Sequence, residues 1–257
     1  MNILITGMSG LIGAAVRRQL APRARLSALN RSAVEGVPTT RADLADLEAI
    51  RPAFDGQETV IHLAAKAGEN YSWEELLQTN IVGTRNVLAA ARDAGCKRVV
   101  FASSGATVAG WELEEPYKAL VEGRYGEAPE RWRLIRHDEA VRPRGVYGAT
   151  KVWGEAFCRH VADSSPLSVL CVRIGYVNAE DRPVHPRHFA VWCSQRDIAA
   201  AIERCVDAPL GRQFDVLFAN SRNQWGYRDL SHTEVVLGFV PQDAAEDHRG
   251  GRVKSGS

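Results

Sequence analysis

Short apolar runs alternate along the chain with stretches in which apolar residues recur every three or four positions, the pattern of strands separated by helices. It opens on such a run, Asn2–Thr6, followed at once by glycines at 7, 10 and 13 and by a helical stretch, Leu11–Leu20. Further apolar runs at 24–29, 36–41, 59–65, 98–102, 167–174 and 213–218 read as strands. Helical periodicity falls at 44–54, 74–94, 147–161 and 195–206. Strands that alternate with helices are joined by crossovers, so the expected fold is α/β, a doubly wound parallel sheet with helices on both faces.

The dinucleotide-binding core of that fold is expected over 1–176, with 177–257 a small substrate-binding portion partly returning to it. The polar, glycine-rich tail after about His248 is expected to be disordered. Between 110 and 142 the pattern breaks down: Trp111, Tyr117, Tyr125 and Trp132 are interspersed with charges and with Pro116 and Pro129. So long an interruption is not an ordinary connection. It reads as a lid over a site or as a surface excursion with a short helix, and the lid is favoured.

Composition narrows the partners. A length of 257 residues, 45% hydrophobic and 25% charged, suits a sizeable globular core. A net charge of +1 gives no electrostatic case for nucleic acid or an anionic membrane. The expected partners are a small-molecule substrate and further copies of the chain, as a homodimer or higher oligomer. Five cysteines, an odd number without a C-x-x-C pair, fit reduced thiols in a cytoplasmic protein. The first strand follows Met1 directly, and no apolar run approaches membrane-spanning length, so neither a leader nor a membrane anchor is expected. His185 and His188 have no acidic or cysteine partner at useful spacing, so no metal is expected there.

Chemistry begins at the first turn. Glycine at 7 permits a tight turn, at 10 lets backbone approach a pyrophosphate, and at 13 lets the next helix pack closely, while that helix points its positive end at the phosphates. Ser9, Leu11 and Ile12 complete the expected cradle. In such a fold the end of the second strand meets the adenosine ribose, where an acid selects NAD and an arginine accommodates NADP. Asn30 and Arg31 stand there, so NADP is expected, with NAD possible. Asp43, followed by Leu44, either accepts from the adenine amino group or caps the next helix. Leu63, Ala64 and Ala65 are small or apolar residues at a strand's carboxyl end, against which a cofactor can lie. His62, inside the same apolar run, reads as a core histidine.

Tyr147 and Lys151 lie four apart on a helix and share a face. A nearby ammonium and a cationic nicotinamide ring favour the phenolate, so this tyrosine can exchange a proton with a substrate oxygen as hydride moves. The strand at 98–102 delivers Ser103 and Ser104 to the same sheet edge.

Taken in order, Gly7 to Gly13, Asp43-Leu44, His62-Leu-Ala-Ala65, Asn80-Ile-Val-Gly83, Phe101-Ala-Ser-Ser104, Tyr147-Gly-Ala-Thr-Lys151 and Arg173-Ile-Gly175 resemble the successive motifs of the extended short-chain dehydrogenase/reductase family. The resemblance implies Tyr147 as acid/base, Lys151 as the group that lowers its pKa and holds the nicotinamide ribose, and Ser104 as partner of the reacting oxygen. Asn80 would help hold a proton relay near Lys151. The family's hydroxyl aligns with Ser104 or with Gly105; in the second case Thr107 or Ser103 would have to serve.

Only about a hundred residues follow Lys151, too few for the large nucleotide-sugar domain of the family's epimerases and dehydratases. The chain is most similar to the uronate dehydrogenase branch, in which Arg187 would clamp a substrate carboxylate. Gly105, Ala106, Ala67 and Tyr176 depart from that branch's substrate contacts. The implied function is NAD(P)-dependent interconversion of an alcohol and a carbonyl on a small, non-nucleotide substrate. The alternatives are a uronate dehydrogenase proper, a sugar epimerase or dehydratase, or a non-catalytic NADP-binding regulator.

Overall fold

The computed structural model describes residues 1–249. The chain runs through β1 (Asn2–Thr6), α1 (Leu11–Leu20), β2 (Arg25–Asn30), β3 (Thr39–Arg41), α2 (Leu47–Ile50) and β4 (Thr59–His62). It continues with α3 (Trp73–Leu76), α4 (Gly83–Asp93), β5 (Arg98–Ser104), α5 (Tyr117–Glu122) and α6 (Gly145–Ser164). Last come β6 (Ser168–Ile174), α7 (His188–Val191), α8 (Gln195–Asp207), β7 (Phe214–Ala219) and α9 (Ser231–Leu237). The seven strands form one parallel sheet in the order β3-β2-β1-β4-β5-β6-β7. Strand order reverses between β1 and β4, which opens a crevice at their carboxyl ends.

Period-two alternation sorts the strand residues onto two faces. Ile3, Ile5, Ile61, Val100 and Leu217 pack with Val16, Leu20, Ile198 and Ile202 of α1 and α8. Leu4, Val60, Val99 and Phe101 face Val87 and Leu88 of α4 and Cys158 and Val161 of α6. The C-terminal portion thus returns to the core through α8 and β7. Arg98, fully enclosed, donates to the carbonyls of Cys205 (3.0 Å) and Pro209 (2.9 Å), placing a cation at the carboxyl end of α8.

Several expected boundaries move. The helix anticipated at 44–54 begins at Leu47, because Asp46 and not Asp43 caps it by accepting from Ala49 N (3.1 Å). Asp43 turns instead onto Ala45 N (2.9 Å). The helix anticipated at 74–94 is continuous but contains a π turn at Leu77–Val82, between α3 and α4. Residues 110–142, read as a lid or a surface excursion with a short helix, carry the short helix α5 and form a packed layer. Tyr117, Leu120, Val121 and Ile135 join Ala190, Val191, Phe218 and Tyr227 in a third apolar cluster, so burial holds the segment against the C-terminal portion. The tail expected after about His248 falls, from residue 250 onward, outside the described residues. Among the described residues no helix is long and apolar enough to cross a membrane.

Candidate active site

Two cavities meet at the crevice, of about 670 and 580 Å³, and both are lined by Leu63 and Ala65. The smaller is built from Gly7, Ser9, Gly10, Asn30, Arg31, Asp43, Leu44 and Ala64, which gathers most of the residues expected to hold a dinucleotide. Gly7 takes φ +71°, and a Cβ there would lie 2.8 Å from Ala64 N, so only glycine lets the turn pass this close to β4's end. No side chain caps α1, which leaves its first amides for an anion.

Three of the expected cofactor contacts are placed differently. Gly13 lines neither cavity; its missing side chain lets α1 sit on the loop, where a Cβ would come within 2.5 Å of Gly7 O. The Leu11 side chain lines neither cavity and is exposed, whereas Ile12 lines the larger one. Asn30 is buried and accepts from Met8 N (3.0 Å), so its first task is to hold the glycine loop. Its Nδ2 is buried without a partner beside the smaller cavity. An open glycine turn, an uncapped helix and an unsatisfied amide fit the pyrophosphate and ribose of a dinucleotide.

The larger cavity holds Ser104, Tyr147 and Lys151. Lys151 is buried, donates to Ala102 O (2.7 Å), and lies 4.9 Å from the centre of the Phe101 ring and 5.9 Å from that of Tyr147. Burial brings its pKa down to about 8. Burial pushes the Tyr147 phenol above the usual tyrosine value; a hydrogen bond with Ser104 pulls it down, and the Glu69 charge pushes it up again. Burial is the largest of these influences on the Tyr147 phenol.

Ser103 and Ser104 both line this cavity, and they differ in what their hydroxyls are tied to. The Ser104 Oγ accepts from Ala106 N (3.1 Å), which fixes it at the end of β5. The other candidates are committed elsewhere: Ser103 donates to Glu155 (2.5 Å) and Thr107 to Ser104 O (2.8 Å). Asn80, buried in the π turn, accepts from Lys66 N (2.9 Å) and donates to Lys66 O (3.1 Å) and Thr150 Oγ1 (3.1 Å). It pins the loop after β4 to the helix that carries Lys151, and among the described residues it makes no hydrogen bond to Lys151 itself. His62 is the core histidine expected, linked to Thr6 Oγ1 (2.8 Å) and Thr84 Oγ1 (3.1 Å), with its pKa lowered to about 3 by burial and by the Lys151 charge.

Tyr176, Gly105 and Arg187 also line the larger cavity. Tyr176 stacks on His188 at 4.0 Å. Arg187 does not present a free fork. It is engaged bidentately with Glu112 (Nε–Oε2 2.7 Å, Nη2–Oε1 2.8 Å), a carboxylate fully enclosed by the protein that also accepts from Tyr227 OH (2.7 Å). Burial alone would raise Glu112; the Arg187 contacts, with the Arg228 charge and the Tyr227 hydroxyl, outweigh it and hold the carboxyl below its ordinary value. Arg228, Arg144 and Glu69, which no sequence motif marks, line the cavity too. Outside the cavity, the His137 and His232 rings stack at 3.5 Å, and the Asp215 carboxylate is shared between His232 (2.8 Å) and Arg212 (2.6 Å).

A glycine turn at the reversal of a parallel sheet, joined to a pocket that holds a half-buried tyrosine, a buried lysine and a serine, defines a dinucleotide-binding α/β fold. The chain belongs to the NAD dependent epimerase/dehydratase family, whose model matches residues 3–227. It is 34% identical over 254 residues to a uronate dehydrogenase of Agrobacterium fabrum, covering 96% of this chain and 87% of that protein. It is 30% identical over 251 residues to an NAD-dependent glucose-6-phosphate dehydrogenase of Haloferax volcanii, covering 94% and 93%. The crystal structure of uronate dehydrogenase from Agrobacterium tumefaciens matches the fold with a TM-score of 0.81 at 31% identity, over 96% of this chain and 86% of that one.

Proposed function

We propose that the protein is an NAD(P)-dependent dehydrogenase that oxidises the anomeric carbon of a small, non-nucleotide sugar. The observation that carries this reading is the convergence of Ser104, Tyr147 and Lys151 in a cavity that shares Leu63 and Ala65 with the dinucleotide cradle. Relatives named for uronate and for glucose 6-phosphate supply the substrate class. The cavity's volume suits a monosaccharide beside a nicotinamide ring.

A nicotinamide dinucleotide, when bound, supplies the hydride acceptor and a cationic ring. Ser104 and Tyr147 hold the sugar hydroxyl between them, and Tyr147 takes its proton. Lys151, with a pKa near 8, keeps most of its charge at neutral pH and favours the phenolate with the cationic ring. Asn80 acts as a positioning residue by fixing the register of α6. Arg31, at the end of β2 where a carboxylate would repel a 2′-phosphate, supports NADP as the preferred cofactor.

The test is reduced-cofactor formation at 340 nm with D-glucuronate, D-glucose 6-phosphate and D-glucose, in wild type and Tyr147→Phe. Loss of roughly 100-fold or more in kcat with cofactor affinity unchanged is expected, the range for a removed acid/base group. Turnover that survives in Tyr147→Phe, or cofactor binding with no turnover of any sugar, would overturn the proposal.

A further inference from the structure

We propose that Arg228, and not Arg187, holds an anionic group of the substrate, a carboxylate or a phosphate on the end of the sugar away from the reacting carbon. The inference rests on the dehydrogenase reading and goes beyond it by naming the charge of the substrate and the residue that selects it.

Arg187 is already paired. A substrate carboxylate meeting it would compete with Glu112, a fully enclosed carboxylate held at 2.7 and 2.8 Å in the two-pronged geometry that suits a guanidinium best. Arg228 stands in the opposite condition. It is only 5% exposed, yet it lines the same cavity as Ser104 and Tyr147. Its hydrogen bonds go to neutral groups at the long end of the range: Asn220 Oδ1 (3.3 Å), Gly105 O (3.3 Å) and Tyr227 OH (3.2 Å). Its Nε is buried with no partner, and among the described residues it forms no ion pair. A guanidinium is always charged, and a buried charge whose nearest carboxylate, Glu112, is reached only through a tyrosine hydroxyl is incompletely compensated.

Position 105 shows that room has been made for this arginine. A Cβ on Gly105 would lie 2.2 Å from Arg228 Nη1 and 2.3 Å from its Cζ, so the guanidinium occupies the space of the side chain beside Ser104. Three guanidiniums line the cavity, and Glu112 pairs two of them, Arg187 and, at 3.5 Å, Arg144. Glu69 adds a carboxylate to the lining, but among the described residues Arg228 forms an ion pair with neither acid and reaches Glu112 only through the Tyr227 hydroxyl, so its charge is the one left without a direct partner. An anionic oxygen supplied by the substrate completes the pairing beside Gly105, the residue that follows the serine.

The experiment measures binding apart from turnover. D-glucuronate, D-glucose 6-phosphate and D-glucose are titrated calorimetrically into the oxidised-cofactor complex of Tyr147→Phe, alone and combined with Arg228→Gln, Arg228→Lys or Arg187→Gln. Arg228→Gln is expected to weaken the anionic sugars by about 30-fold or more, the scale for truncating one side of a buried charged contact, and D-glucose by less than about threefold. Arg228→Lys keeps the charge without the fork and should restore part of the loss; it serves as the test if the Gln variant does not fold. Whichever anionic sugar binds more tightly separates carboxylate from phosphate.

Equal weakening of all three sugars by Arg228→Gln, or loss of the anionic preference in Arg187→Gln, would overturn the proposal. If the complex binds no sugar at all, the dehydrogenase reading fails separately. Arg228 is then judged by inorganic phosphate, through broadening of its 31P resonance, and by succinate calorimetry. Binding of either that Arg228→Gln abolishes supports the anion site, and no binding of either refutes it.

Discussion

Replacing Glu112 by Gln leaves the shape of the side chain and removes its charge. In the folded protein that carboxylate is enclosed and bound by Arg187 through two contacts of 2.7 and 2.8 Å and by Tyr227 OH at 2.7 Å. Removing one partner of a buried ion pair costs about 3–5 kcal/mol, because the other charge is stranded. Here the stranded side chain is Arg187, 32% exposed and so partly able to recover solvent, and a Gln amide oxygen still accepts from Tyr227. The expected loss is therefore at the lower end, about 3 kcal/mol. For a chain of this size that lowers Tm by roughly 6–12 °C, taking about 2–4 °C per kcal/mol. Thermal and urea unfolding would measure it. The double variant Glu112→Gln/Arg187→Met removes the stranded charge and should recover about 1–2 kcal/mol of the loss. A single variant that melts within about 2 °C of wild type, or a double variant no more stable than the sum of the two single losses, would refute the reasoning on its magnitude.

The remaining predictions concern His62 and Arg31. His62 stays neutral in the folded protein down to about pH 3, whereas an unfolded histidine protonates near 6.5. The unfolded chain therefore binds the extra proton between those values, and stability falls as pH drops through that window, by about 1.4 kcal/mol per pH unit from this group. Urea unfolding at pH 6, 5 and 4 should show a slope shallower by nearly that amount in His62→Gln; an unchanged slope would count against the buried neutral imidazole. Arg31→Ala should weaken NADPH by about 1 kcal/mol or more, the worth of a charge-assisted contact, and leave NADH within about twofold. Fluorescence titration reads both, and equal affinities in wild type would return the protein to NAD.

The alternation of apolar runs with helical periodicity was enough to place all seven strands, because each central strand is buried on both faces and so reads as a continuous apolar stretch. Edges were harder. The strand expected at 36–41 shrinks to Thr39–Arg41, which lies at the margin of the sheet with less to bury. The π turn around Asn80 left no composition signal, since Leu77–Val82 carries ordinary helical residues and the extra turn is set by tertiary contacts to Lys66 and Thr150. The length of the interruption between 110 and 142, with its interspersed aromatic residues, suggested a cover for ligand or a surface excursion. They serve to bury a third cluster, and a one-dimensional pattern does not distinguish a face that meets ligand from one that meets protein.

At the site, local motifs were legible and long-range pairing was not. The glycine turn, Ser104, Tyr147 and Lys151 lie at strand ends and on one helix face, where spacing fixes geometry. Arg187 was read as free because its partner, Glu112, is 75 residues away in an irregular stretch. Arg228 follows Trp225-Gly-Tyr227 in a segment without periodicity, and only the fold brings it to Gly105. The glycine at 105 was the available signal: a small residue directly after the serine leaves room for a side chain from elsewhere.

Oxidation at the anomeric centre is read from the fate of the reacting carbon. [1-13C]-labelled D-glucuronate and D-glucose 6-phosphate are incubated with the protein and oxidised cofactor, and 13C NMR is recorded alongside absorbance at 340 nm. Loss of the anomeric signal into a lactone or carboxylate carbon, with one reduced cofactor formed per sugar consumed, is the predicted result. Stereochemical change without reduced cofactor would show an epimerase, and reduced cofactor formed while C1 stays intact would place the chemistry on another carbon; either contradicts oxidation at the anomeric centre.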